Sequence, residues 1–109
     1  NNLDTISIFC GTHNEESVRL LAELMVKNSI NPNDSRITFS QLLGMSDNIS
    51  FTLAGLRYNV TKYIPYGPVR EVMPYLIRRA QENTSVKGQT GRELSLINQE
   101  VLRRRKLNN

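Results

Sequence analysis

The chain alternates short runs of β-branched and aromatic residues with longer segments whose apolar residues recur at helical spacing. The first run, Thr5–Cys10, is closed by a glycine and predicts a strand. The next segment predicts a helix that ends near Asn28, with Thr12 and Glu15 at capping-box spacing and Asn14 as a rival N-cap. Its apolar stripe consists of Val18, Leu21, Ala22, Met25 and Val26.

The same alternation continues to the end of the chain. The further predicted elements are a strand at Arg36–Ser40, a helix starting near Ser46 or Asp47, a strand at Tyr58–Tyr63, a helix after the turn at Pro65–Pro68, and a terminal helix at about 92–105. The helix after the turn carries its apolar residues at Val69, Val72, Met73, Leu76, Ile77 and Ala80, and Pro74 lies inside it.

Three strands separated by helices predict an α/β fold with a parallel sheet and crossover helices. Ligands of such sheets bind at the carboxyl ends of the strands. Three segments take that place here: Gly11–Asn14, Gln41–Met45 and Tyr63–Gly67. A closed (β/α)8 barrel needs about 250 residues, so a barrel parent would receive less than half of its residues from this chain.

Composition narrows the class of protein. With 109 residues, 39% hydrophobic and 22% charged, the chain is typical of one globular domain. No apolar run approaches the roughly 18 residues of a membrane span, and the first residues do not resemble a targeting peptide. Cys10 is the only cysteine, which excludes an internal disulfide. Four of the fourteen basic residues stand together at Arg103–Lys106.

The strand ends offer few of the familiar catalytic patterns. His13 is the only histidine, and no set of residues has the spacing of a zinc site. No G-x-G-x-x-G motif follows a strand, which argues against a dinucleotide-binding fold of the Rossmann type. For Thr12 and His13, helix capping or a surface position is as good an interpretation as a functional one.

Arg78 and Arg79 form the most informative pair of charges. Two adjacent guanidinium groups can clamp one carboxylate, which suits a small amino acid. Glu82 lies on the next turn of the same helix and is within reach of either arginine. A solvated charged helix face is the alternative, and exposed pairs of this kind stabilise little.

Four blocks of sequence carry a resemblance to a known family. They are Gly11–Val18 (GTHNEESV), Gln41–Met45 (QLLGM), Lys62–Val69 (KYIPYGPV) and Tyr75–Asn83 (YLIRRAQEN). In this order they resemble the C-terminal third of the proline dehydrogenases (proline oxidases) of eukaryotic mitochondria. The resemblance implies a distorted (β/α)8 TIM barrel, of which residues 1–109 would form strands six to eight with their helices, as one portion of a single FAD-binding domain.

The same resemblance implies an activity and a set of roles. The family oxidises L-proline to Δ1-pyrroline-5-carboxylate in proline catabolism, with hydride passing to flavin N5 and electrons to a quinone. It implies cofactor contacts at Thr12, His13, Gln41 and Glu82, and substrate contacts at Arg78, Arg79 and Tyr63. Glu82 would orient the arginines or touch the flavin side. No catalytic group and no metal ligand is expected within the chain.

The family also implies what lies outside the chain. Its substrate-side lysine and aspartate come from earlier strands, so the chain alone is expected to be inactive without the N-terminal part of the barrel. The resemblance further implies mitochondrial localisation at the matrix side of the inner membrane, whose surface would be a contact. Ser46 stands where the family commonly has a cysteine.

Three alternatives remain open at this point, and one of them is a purely structural half-barrel retained in a truncated product. Hydroxyproline dehydrogenase is a close relative that tends to have serine where this chain has Tyr63, and the phenol ring favours proline. From another class comes a basic module whose Arg103–Lys106 tail binds nucleic acid or acidic lipid. The chain lacks the basic, aromatic-interleaved face of a nucleic-acid surface, so no nucleic-acid partner is expected.

Overall fold

The computed structural model describes residues 4–85 and 89–107. The elements in chain order are β1 (Ile8–Gly11), α1 (Glu15–Lys27), β2 (Ile37–Leu42), α2 (Asp47–Gly55), β3 (Val60–Tyr63), α3 (Val69–Ser85) and α4 (Gln89–Leu107). Every predicted element is present within a few residues of its predicted bounds. The largest shifts are at the starts of β1, which begins at Ile8 and not at Thr5, and of α4, which begins at Gln89. β2 continues through Gln41 and Leu42, where the sequence suggested the start of a loop.

The three strands form one sheet in the order β1-β2-β3, and both pairs are parallel. In the register, Phe39 of β2 lies between Cys10 of β1 and Val60 of β3. Parallel strands need a crossover connection, and α1 and α2 provide the two connections. The predicted α/β class with a parallel sheet is therefore confirmed.

The core lies between the sheet and these two helices. Phe39 is fully buried, and the ring of Tyr58 meets its ring edge-on with centroids 5.6 Å apart. The core cluster consists of Ile37 and Phe39 from β2, Val18 and Met25 from α1, and Ile49 and Leu53 from α2. Val26, predicted in the apolar stripe of α1, is instead 68% exposed, because the next residue on a helix points about 100° away from the buried Met25.

The start of α1 decides between the two predicted caps. The Asn14 side chain accepts a hydrogen bond from the Ser17 N–H at 3.1 Å, which is the bond of an N-cap residue. The Thr12 hydroxyl accepts from the Asn14 N–H at 3.1 Å instead. Asn14 is therefore the cap, and Glu15 and Glu16 occupy the first turn, where carboxylates are stabilised by the helix dipole.

The chain divides into two compact units: a strand unit, Asn1–Ile64, and a helical unit, Pro65–Asn109. The helical unit contains α3, which continues through Pro74, and α4, whose bounds extend past the predicted 92–105 on both sides. Among the described residues, no helix is both long enough and apolar enough to cross a bilayer.

Candidate functional site

Thr12, His13 and Gln41 meet at the carboxyl edge of the sheet. Because the strands are parallel, the ends of β1 and β2 lie at the same edge, and the segments that follow them are neighbours. The side-chain amide of Gln41 donates to the Thr12 carbonyl at 3.3 Å. The Thr12 N–H donates in turn to the Ser40 carbonyl at 3.2 Å. The loop that carries Thr12 and His13 is thus held against the end of β2.

His13 is bound by β2 and by the loop after it. The Leu42 N–H donates to Nε2 of His13 at 3.4 Å, and Nδ1 lies 2.8 Å from the Ser46 hydroxyl oxygen. Backbone N–H groups alternate between the two neighbours of a central parallel strand, and Leu43 donates towards β3. Leu42 therefore donates towards β1, where the chain has already turned, and the imidazole takes the place of the missing carbonyl.

Gln41 lies on the helix side of β2, in line with Ile37 and Phe39. It is only 2% exposed, and its side-chain oxygen accepts a hydrogen bond from the Ser50 hydroxyl at 2.9 Å. With its amide nitrogen on the Thr12 carbonyl, both ends of the side chain have partners within the chain. The geometry makes Gln41 a support for the loop, and its direct contact with flavin stays a prediction.

The loop between β2 and α2 is also tied to β3. The ammonium group of Lys62 donates to the Met45 carbonyl at 2.7 Å and pairs with the Asp47 carboxylate at 2.7 Å. Between these two residues, Ser46 takes the left-handed backbone conformation, with φ 51° and ψ 43°. The loop is therefore held from the β3 side by Lys62 and from the β1 side by His13.

Tyr63 is the last residue of β3 and is paired in register with Leu42. Its carbonyl accepts from the Leu43 N–H at 2.9 Å, which extends the ladder by one rung. Strand alternation directs its ring to the sheet face opposite Phe39, and the residue is 52% exposed. The ring is accessible for a ligand contact, and the predicted packing over a proline ring stays a prediction.

In the helical unit, Arg79 is held by two neighbours on α3. Its guanidinium donates to the Glu82 carboxylate at 2.9 Å and lies 5.2 Å from the centre of the Tyr75 ring. The predicted pairing of Glu82 with one of the arginines is confirmed for Arg79. Nε of Arg79 is buried and has no hydrogen-bond partner among the described residues. Arg78 is exposed and makes no ion pair with the described residues.

The described residues contain no group of three side chains able to hold a metal ion. Cys10 is half-buried beside the core, and burial raises the pKa of its thiol. It is therefore a packing residue and a poor nucleophile at neutral pH.

Sequence reasoning missed the structural partners of these side chains, namely Ser46, Ser50 and Lys62. One signal was available for Lys62, because strand alternation places it on the helix face beside Gln41, where a charged residue needs a partner. Ser46 and Ser50 are four residues apart, a spacing that puts both on the same face at the start of α2.

The chain is similar in sequence to a family of known proteins. The sequence model of the family described as Proline dehydrogenase matches residues 1–92. The chain is 48% identical over 102 residues to "Proline dehydrogenase 1, mitochondrial" of Homo sapiens, covering 94% of this chain and 17% of the relative. It is 48% identical over 99 residues to the protein of that name from Drosophila melanogaster, covering 91% and 14%.

A third relative, "Hydroxyproline dehydrogenase" of Homo sapiens, is 50% identical over 97 residues, covering 89% of this chain and 21% of the relative. No solved structure gives a significant match. The chain thus spans only about a fifth or less of the length of these curated relatives. Both the family match and the identities cover most of the chain, and the chain belongs to the proline dehydrogenase family.

Proposed function

We propose that this chain is the C-terminal portion of the FAD-binding domain of a mitochondrial enzyme that oxidises L-proline to Δ1-pyrroline-5-carboxylate in proline catabolism. Residues 1–109 would supply strands six to eight of a distorted (β/α)8 barrel. The observation that carries the proposal is the state of Arg79 in a chain of this family: its guanidinium is oriented by Glu82 and Tyr75, and its side chain is still 35% exposed.

Arg79 is suited to hold the substrate carboxylate. The Glu82 carboxylate and the Tyr75 ring fix its guanidinium plane, so little side-chain entropy is lost when a ligand binds. The Arg79 side chain is 35% exposed, so its guanidinium can donate to a ligand carboxylate as well as to Glu82. Arg78, exposed and next in sequence, would supply the second guanidinium of the clamp.

The edge of the sheet is suited to the cofactor side. Ligands of parallel α/β folds bind at this edge, where the loop with Thr12 and His13 is held by hydrogen bonds to β2. Bound FAD would supply the hydride acceptor. The chain's own residues would bind and orient, since Tyr63 offers an exposed ring to the pyrrolidine of proline and the arginines fix the direction of the reacting C–H bond.

The rest of the enzyme would lie outside the chain. β1 and β3 are the edges of the three-stranded sheet, and a closed barrel requires a further strand beside each of them. We therefore infer that the chain alone is inactive and needs the N-terminal part of the barrel. A quinone would receive the electrons, at the matrix surface of the inner mitochondrial membrane.

Hydroxyproline is the second candidate substrate, because a relative of that activity is 50% identical to the chain. A 4-hydroxyl group needs room and a polar partner beside the ring. The phenol of Tyr63 occupies volume that a serine would leave open, which favours proline.

The test is anaerobic titration of the flavin absorbance of the full-length protein with L-proline and with trans-4-hydroxy-L-proline. We expect L-proline to bleach the oxidised flavin band at the lower concentration. In an Arg79→Met variant, the half-saturating proline concentration should rise about 10- to 100-fold, since a hydrogen bond to a charged group contributes roughly 1.5–3 kcal/mol. An Arg70→Met variant, which changes an exposed arginine of the same helix, should titrate like the parent.

The outcomes separate the candidates. If hydroxyproline bleaches the oxidised flavin band at a lower concentration than proline does, hydroxyproline is the favoured substrate. A purified protein without flavin, whose spectrum neither amino acid changes, would refute the dehydrogenase proposal. Salt-dependent binding to RNA or to anionic vesicles would then support a basic binding module.

A further inference from the structure

The hydrogen bonds of His13 define which of its nitrogens carries the proton. The Leu42 N–H donates to Nε2, so Nε2 must offer a lone pair and cannot bear hydrogen. The proton of the neutral ring is then on Nδ1, which lies 2.8 Å from the Ser46 hydroxyl oxygen and donates to it. An imidazolium would present a second N–H to Leu42 and break this arrangement.

The Ser46 side chain contacts His13 and does not cap α2. A serine at the N-cap position ordinarily accepts from a backbone N–H of the first turn. At the start of α2 this bond is missing, although Ser46 occupies the cap position. Its side chain is directed instead at the imidazole, and the residue is only 6% exposed.

The backbone of Ser46 also shows the cost of this placement. A left-handed conformation is unfavourable for a residue with a Cβ atom, and glycine would relieve it. Lys62 holds the loop in place through the Met45 carbonyl and the Asp47 carboxylate on either side of Ser46. The strained residue is therefore fixed from both sides with its hydroxyl towards His13.

We infer that Ser46 is a positioning residue that, together with the Leu42 N–H, fixes His13 as the neutral Nδ1–H tautomer in one ring orientation. This inference rests on the proposed function in so far as it concerns the side chain expected to contact the flavin. With both nitrogens bound by the protein, His13 meets a cofactor with the face or the C–H edge of its ring. It neither donates an N–H to the flavin nor transfers a proton.

The tautomer can be measured in the full-length protein, where the histidine signals that disappear in a His13→Asn variant belong to His13. Long-range ¹H–¹⁵N correlation spectra of the ¹⁵N-labelled full-length protein, at about pH 8 where free imidazole is neutral, distinguish a protonated from an unprotonated ring nitrogen. We expect Nδ1 to be protonated and Nε2 to be unprotonated. A ring with the tautomer mixture of free histidine would overturn the inference.

Two variants test the positioning role of Ser46. Ser46→Ala and Ser46→Gly both remove the hydroxyl, but only glycine relieves the left-handed backbone. In both, the ratio of the Nδ1–H to the Nε2–H tautomer should fall about fivefold or more, the factor expected for the loss of one hydrogen bond of ordinary strength. A tautomer ratio that stays at the parental value in Ser46→Gly would refute the positioning role.

The matched control is Ser50→Ala, which removes a buried hydroxyl of α2 that contacts the Gln41 side-chain oxygen and the Ser46 carbonyl but not His13. It should leave the tautomer ratio unchanged, and an equal fall would show that any damage to α2 disturbs His13. Since the measurement needs no flavin, its failure leaves the dehydrogenase proposal intact. A protein that binds no flavin would equally leave the tautomer result standing.

Discussion

His13 in the strand unit is fixed by groups 29 and 33 residues away along the chain, whereas Arg79 in the helical unit is fixed by a carboxylate three residues away. The two units also differ in how many of their side chains are buried. All residues found buried lie in the strand unit, and no helical-unit residue of described burial is among them. One proposed ligand-binding group therefore depends on tertiary structure, and the other depends on the local geometry of one helix.

The largest effect is expected from the core beneath His13. Phe39→Ala should destabilise the protein by about 3–5 kcal/mol, because it removes a fully buried ring and leaves a cavity between the sheet and two helices. The denaturant midpoint of the full-length protein measures the loss. Phe51→Ala, at a position that is 75% exposed, is the control and should change stability by no more than about 0.5 kcal/mol. Equal losses in the two variants would contradict the core assignment.

A smaller effect is expected at the turn that leads into β2. The amide of Asn59 donates to the Asp34 carbonyl at 2.6 Å and to the Ile37 carbonyl at 3.1 Å. Asn59→Ala should cost about 1 kcal/mol, since it removes one donor from each carbonyl, and the Asp34 carbonyl keeps only the Ile37 N–H. Asn33→Ala, in the exposed part of the same turn, serves as the comparison in urea unfolding. If both substitutions are neutral, Asn59 does not hold the turn.

Low pH should affect the stability of the strand unit more than that of the helical unit. The hydrogen bond from Arg36 lowers the pKa of Asp34 from 3.8 to about 2. A carboxyl group whose pKa is lowered by folding stabilises the protein fully above the unfolded pKa, and this contribution disappears as the pH falls through the folded pKa. Asp34→Asn should therefore be less stable than the parent at neutral pH, with a difference that shrinks as the pH falls from about 4 through about 2. Urea midpoints at several pH values measure the difference, and a constant offset would contradict it.

The smallest effect is expected on α4. Hydrogen bonds from Arg103 and Arg104 lower the pKa of Glu100 to about 2 as well, but these charges lie on an exposed helix surface. Exposed pairs at helical spacing stabilise little. Glu100→Gln should shift the urea midpoint by no more than the scatter of the measurement at any pH. A loss as large as that of Asp34→Asn would show that the two units do not differ in this respect.

The sequence predicted what local spacing determines. The seven elements follow from hydrophobic periodicity, and the bond between Arg79 and Glu82 follows from a separation of three residues on a helix. Among the two candidate caps of α1, the choice of Asn14 needed coordinates, because the Thr12 hydroxyl had a competing partner in the Asn14 N–H.

The environment of His13 could not be predicted in this way. It depends on the register of β1 and β2, which leaves the Leu42 N–H without a carbonyl, and on a left-handed serine that no local pattern demands. The placement of Gln41 within β2 could not be predicted either. It depends on the pairing with β3, where the Tyr63 carbonyl accepts from the Leu43 N–H. The roles of Thr12, Gln41 and Tyr63 towards ligands stay predictions from the family resemblance.

The parallel order of the strands has a consequence for how fast each unit forms. Joining β1 to β2 brings together residues such as Thr12 and Gln41, 29 positions apart, so the chain loses loop entropy before any rung of the sheet forms. Helices whose contacts span three or four residues need no such closure and form within about a microsecond. During synthesis and refolding, α3 and α4 should therefore appear early, and the pairing of the sheet should be the slow step that creates the environment of His13.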